Sequence, residues 1–195
     1  MPNYTNVPSI YVPGKVRTRQ SPLYDTYVVA QGANVGGANG TVVMFTQIEN
    51  QITSTYPNGV PGYITNMQQA NQLQGGVSFV LGALRLVPIG MAEVDLVTFM
   101  QNFRIKLEIG AGGFAYSDAP PEYWAGGAGS FTPGTGTAAL NGFPDTRSIV
   151  PFDIDPILLT DGVNFRLRLV GQPFEASAEF FLRVYLDGQF TEPAQ

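Results

Sequence analysis

Asp153 and Asp155 stand two residues apart, directly before Pro156. From an extended segment both carboxylates would point the same way, an arrangement that offers oxygen ligands to Ca²⁺. The same residues suit a turn that sets up a strand, and the turn is the preferred reading. Asp118 and Glu122 flank Pro120-Pro121 and form a second acidic pair. Glycoside hydrolysis needs two carboxylates across a sugar cleft, and no spacing in this chain places any acidic pair that way. A serine nucleophile needs an imidazole or a neighbouring lysine. The chain has no His and no Cys, and its lysines are Lys15 and Lys106. Lys15 sits in a proline-rich start, and Lys106 sits within an alternating run on its wet face. These residue types predict no catalytic constellation, no essential metal and no cofactor. The absence of Cys also removes disulfides, thiolate zinc sites and thiol nucleophiles.

Contact chemistry is better represented. Tyr116, Tyr123, Trp124 and Phe131 cluster in a glycine-rich stretch, residues 110–142, which holds nine glycines. Exposed aromatics on a loop stack on sugars or insert into a partner protein. Alternatively, they pin the loop onto its own sheet. The run Gly126-Gly127-Ala128-Gly129 is not a phosphate loop, because no Lys-Ser or Lys-Thr follows it.

The elements that would carry these residues are strands. Phe165-Arg166-Leu167-Arg168-Leu169 alternates apolar and charged side chains, as do Phe103 to Ile109 and Phe181 to Asp187. A period of two means one buried and one wet face. Further strands are expected at Tyr24–Gln31, Thr41–Ile52, Val77–Val87, Ser148–Phe152 and Pro156–Thr160. Leu96–Ile109 reads as one long strand or a bent pair. Phe165 to Leu186 reads as a terminal hairpin turning at Gly171-Gln172-Pro173. Asn66–Leu73 has the best local helix composition, with a polar loop as the alternative. Asn102–Leu107 and Asn164–Leu169 are locally alike, either as equivalent strands of two halves or as convergence on a good strand pattern. Roughly eight strands at this turn spacing predict an all-β sandwich with long loops. At 195 residues the chain is expected to be a single domain, 1–195. Residues 1–25, with four prolines, read as an extended N-terminal arm.

Composition narrows the partners. Net charge is −5 and only 13% of residues are charged, about half the usual share. Lys15, Arg17 and Arg19 are the only local basic cluster. Nucleic-acid binding by the folded body is therefore not expected. The most apolar window, Val77 to Met100, is broken by Arg85, Pro88, Glu93 and Asp95, which argues against a transmembrane segment. The start Met1-Pro2-Asn3-Tyr4-Thr5 lacks the pattern of a signal peptide.

An acidic, Cys-free β-sandwich with a Pro-rich arm, a long Gly-rich loop and a last strand reaching Leu186-Asp187-Gly188 resembles the single jelly-roll capsid protein of tailless icosahedral phages, such as those infecting Thermus. The resemblance spans roughly residues 24–188 and rests on texture rather than on a motif. It implies an eight-stranded jelly roll and a virion location, with assembly in the host cytoplasm. It also implies self-association, with a second capsid protein as a further partner. The competing class is a carbohydrate-binding module or lectin, which shares the architecture and would use Trp124 and its tyrosines as a sugar platform.

The alternation places Phe165, Leu167 and Leu169 in the core and Arg166 and Arg168 outside. Leu167→Ala should therefore cost about 2–5 kcal/mol in denaturant unfolding, and Arg166→Ala or Arg168→Ala less. A loss below about 0.5 kcal/mol for Leu167→Ala would put the strand in the opposite register.

Overall fold

The computed structural model describes residues 16–124, 150–151 and 156–193. The elements follow in chain order. β1 (Val16–Gln20), β2 (Leu23–Val29), β3 (Asn34–Val35), β4 (Thr41–Met44) and β5 (Ser78–Ile89) come first. Next are α1 (Glu93–Asn102), β6 (Phe103–Ile109), β7 (Phe114–Ala119) and α2 (Pro121–Trp124). β8 (Val150–Pro151), β9 (Ile157–Thr160), β10 (Phe165–Gly171), β11 (Phe174–Glu175) and β12 (Phe180–Pro193) complete them.

The chain is an all-β sandwich. In the larger sheet β12 and β5 lie side by side. β2 and β1 share the free edge of β12, and β9 and β8 share the free edge of β5. The smaller sheet runs β4-β10-β6-β7. Every pairing is antiparallel. Leu84, Leu86, Leu182, Val184 and Leu186 of the larger sheet share one core with Ile105, Leu107, Leu167 and Leu169 of the smaller. Phe165, Leu167 and Leu169 are buried as the alternation requires, while Arg166 is exposed and Arg168 half-buried. The look-alike runs at 102–107 and 164–169 are neighbours, with Leu167 opposite Leu107 and Leu169 opposite Ile105. They match because both strands bury alternate residues in the same core.

Several expectations are corrected. Leu96–Ile109 is not one strand: α1 ends at Asn102 and β6 begins at Phe103. Leu96, Phe99 and Phe103 are spaced by three and four and all are buried. Glu93 and Asp95 in the first turn also favour a helix start. Asn66–Leu73 is loop, with one isolated bridge between Gln69 and Gln72. The strand expected over 41–52 stops at Met44, because Phe45 takes a φ of 67° and leaves extended geometry. β10 and β12 do not form a hairpin. They belong to different sheets, so Gly171-Gln172-Pro173 carries the chain across the sandwich. Gly171 fits there because a Cβ would lie 2.7 Å from the Phe103 ring.

The glycine-rich stretch is not one loop at its start, since β7 and α2 occupy 114–124. Residues 125–149 lie outside the described residues. Part of the expected arm is strand: residues 16–20 pair with Gln189–Pro193 as β1, and β2 begins at Leu23. Residues 1–15 also lie outside the described residues.

The larger sheet carries one irregular step. Asp187 pairs with Ala83 and Gly188 with Leu81, leaving Gly82 without an opposite residue. The strands press together at this bulge. A Cβ on Gly188 would fall on the Val80 carbonyl oxygen and 2.6 Å from Cζ of Phe79, itself fully buried. Gly188→Ala should therefore destabilise the protein by about 3 kcal/mol, the upper end for an overpacked core. Matched urea transitions for variant and wild type would show it, and equal midpoints would refute it.

Candidate functional site

Of the four aromatics singled out from sequence, the three that are described differ in exposure. Tyr116 lies at an irregular step of β7 and is 48% exposed, and Tyr123 on α2 is 54% exposed. Trp124 is only 3% exposed. Successive helical residues point about 100° apart, so α2, which lies against β5 and β6, leaves Tyr123 exposed and buries Trp124. The two rings meet edge to face at 4.9 Å. Trp124 thus belongs to the core and not to an exposed sugar platform. Phe131, Asp153 and Asp155 lie outside the described residues. Asp118 is taken up by Arg104 at 2.9 Å and Lys106 at 3.3 Å. Among the described residues, no group of three or more His, Cys, Asp or Glu comes together. No described helix is long and apolar enough to cross a membrane.

The outer faces of the sheets hold the ordered polar chemistry. On the larger sheet, Tyr185 of β12 lies opposite Arg85 of β5, and its other neighbour is Tyr24 of β2. The Arg85 guanidinium sits 4.7 Å over the Tyr185 ring and forms a forked pair with Asp187. The Asp187 hydrogen bond raises the Arg85 pKa further, against the opposing effect of burial. Arg183 donates to the Thr26 hydroxyl at 3.0 Å, the Tyr185 hydroxyl at 3.4 Å and the Tyr63 carbonyl at 2.6 Å. The Tyr24 hydroxyl donates to the Gly62 carbonyl. Burial is the first cause of its raised pKa, followed by the charge of Glu49. The result is a fixed arginine–tyrosine surface continued by Tyr63, exposed on the neighbouring loop.

The outer face of the smaller sheet is cationic. Arg166 and Arg168 of β10 alternate with Arg104 and Lys106 of β6, and Arg168 lies directly opposite Lys106. Glu108 accepts from Arg166 at 2.6 Å and from Arg168 at 3.3 Å. Burial alone would raise the Glu108 pKa, but the Arg166 hydrogen bond and the two guanidinium charges outweigh it and hold it low. Arg166, Arg168, Arg104 and Lys106 are the wet positions of two alternating runs, and the pairing of β10 with β6 gathers them on one surface.

Sequence reasoning missed Asp25. It lies in phase with the inward-facing Leu23, Tyr27 and Val29 of β2 and is buried. Its carboxylate accepts the backbone N–H of Thr26 at 3.0 Å and that of Phe45. This bond anchors the left-handed turn at which the chain leaves β4. Burial raises the Asp25 pKa to about 6, offset in part by the Phe45, Thr26 and Thr65 hydrogen bonds. Its partners mark it as a structural group.

No protein-family model, curated protein or solved structure matches the chain.

Asp25 gives stability a pH slope of defined sign. Below pH 3.8 it is protonated in both states, and between 3.8 and about 6 only the folded state keeps the proton. Unfolding then releases a proton, so stability falls as pH rises through this window and levels off above it. A shift from 3.8 to about 6 amounts to about 3 kcal/mol. Urea midpoints measured across this window should show wild type losing stability relative to Asp25→Asn, which cannot titrate. Parallel pH profiles for the two proteins would refute the assignment.

Proposed function

We propose that this chain is a structural subunit of a virion shell, working through protein–protein contacts rather than catalysis. The observation that carries the proposal is the arginine–tyrosine face of the larger sheet. Interfaces are enriched in tyrosine and arginine, and hot spots favour them where they are already rigid. Arg183 makes three hydrogen bonds, and Arg85 is held by both a ring and a carboxylate. Such side chains lose little further freedom on binding.

The strand order adds support. One sheet runs β2-β12-β5-β9 and the other β4-β10-β6-β7, with the chain crossing between sheets at most steps. We read this as a jelly roll, which packs eight strands from two Greek keys. That architecture serves shells and lectins alike, so it sets the frame and not the choice. The burial of Trp124 takes the strongest sugar-stacking side chain out of the lectin reading.

Light scattering after size-exclusion chromatography, with electron microscopy of the same fractions, tests the proposal. The expected result is self-association or co-assembly with a second shell protein. A protein that stays monomeric at high concentration, binds no virion component and takes up an oligosaccharide at Tyr116 or Tyr123 would replace it with the lectin reading.

A further inference from the structure

We infer that the cationic outer face of the smaller sheet docks the acidic end of a second copy of this chain. The inference deepens the shell-subunit reading by naming a second contact, separate from the arginine–tyrosine face, and it rests on that reading for self-association.

The cationic face holds Arg104, Lys106, Arg166 and Arg168 against the carboxylates of Glu108 and Asp118. Four cations over two anions leave a surplus of two positive charges on a chain whose net charge is −5. The remainder of the molecule therefore carries −7. These four side chains are half of the Lys and Arg among the described residues. Glu108 is spent inward, its side chain only 8% exposed beneath the two guanidiniums. Arg104 and Arg166 keep 60% and 46% of their side chains exposed. Each guanidinium has five N–H donors in a planar fork, more than its internal partner uses, and the fork matches a carboxylate.

The complementary surface lies at one end of the sandwich. Asp95 of α1 accepts from the Ser177 backbone N–H at 2.9 Å and from its hydroxyl at 2.8 Å. This ties the first turn of α1, with Glu93, to the segment bearing Glu175 and Glu179. Both of the latter are exposed. None of the three glutamates is in an ion pair with a described residue. The sequence places no Lys or Arg between Arg85 and Arg104 or between Arg168 and Arg183, the two stretches that contain these glutamates. Opposite surpluses on separate surfaces of one chain are satisfied when one copy meets the next. A polyanion such as nucleic acid would meet the cations and leave the glutamates unmet, whereas a second copy offers both charges, so a second copy is the favoured occupant.

A charge swap tests this on the full-length chain. The proteins are wild type, Arg104→Glu, the double variant Glu175→Lys/Glu179→Lys, and an equimolar mixture of the two variants. Asp118 retains Lys106 when Arg104 is reversed, and thermal melts check folding. Arg104→Gln is the milder second variant. Sedimentation velocity should show each reversal weakening self-association about tenfold or more, a smaller loss for Arg104→Gln, and recovery in the mixture. Wild-type association should also weaken as salt rises. If wild type associates and the reversals change nothing, or the mixture fails to recover, the docking inference falls while the shell reading stands. If wild type does not associate at any salt concentration, the docking inference falls, and the shell reading falls with it only if no second shell protein co-assembles. Retention of single-stranded DNA by wild type but not Arg104→Glu, with self-association unchanged, would assign the face to nucleic acid and overturn the inference.

Discussion

A single unpaired residue, Gly82, draws a line across the larger sheet, and the rest of that sheet is arranged around it. On one side of the line β12 pairs with β2, and on the other with β1. β5 changes partner at the same level, from β9 to β8. Both outer lanes are therefore broken where the two central strands are irregular. Bulges increase local twist and bend the strand that carries them. A lane running straight past such a bend would lose its hydrogen bonds, and two short strands follow it instead. The close approach at Gly188 is the packing cost of that geometry. The outward placement of Arg85 and Asp187, next to the bend on its β2 side, is one result.

The second constraint concerns how the chain passes between sheets. β4 must end abruptly so that the chain can leave the smaller sheet, and Phe45 does this with a backbone conformation that non-glycine residues rarely adopt. Its ring is fully buried and lies 5.8 Å from that of Phe165. A buried N–H in such a turn has no ladder partner, and an unmet donor costs free energy. Asp25 supplies the acceptor from the opposite sheet. A carboxylate in the core thus joins the two sheets at the point where the backbone departs from regular structure.

The parts of the fold legible in the sequence were those where one strand has one wet face. β6 and β10 alternate cleanly, so the buried Phe165, Leu167 and Leu169 and the wet positions of Arg166, Arg168 and Lys106 follow from period-two reasoning, whereas the pairing that gathers the cations on one face does not. The helix α1 was hidden because Val94, Leu96 and Val97 are apolar while Val94 and Val97 point outward. That blurs the helical stripe and leaves a run that also suits a strand. The break between β10 and β12 was hidden for another reason. A Gly-Gln-Pro turn is equally compatible with a hairpin and with a crossing, and only the competition for partners across the sandwich decides. Asp25 was unreadable because a lone acidic residue in a strand resembles a wet-face residue until its neighbours' phase is followed. The arginine–tyrosine face depends on strands far apart in sequence, and no local pattern announces it.

Sheets that end in free strands invite other chains to add to them, and such addition is how ordered proteins slide into fibres. The described edges of this sandwich resist it. β4 is four residues long, β9 is four, β1 is five, and β7 carries an irregular step. β2 is longer, but its Tyr24 end is already occupied. The Tyr24 N–H donates to the Asn66 side chain at 2.9 Å, and the Tyr24 carbonyl accepts from the Asn66 backbone at 3.4 Å and the Thr65 hydroxyl at 3.2 Å. Asn66 also reaches back to the Pro22 carbonyl at 2.8 Å. A loop residue here plays the part of the missing neighbour strand. A molecule built this way can be crowded against its own copies at high density without its backbone being recruited into a growing ladder, which leaves recognition to side chains.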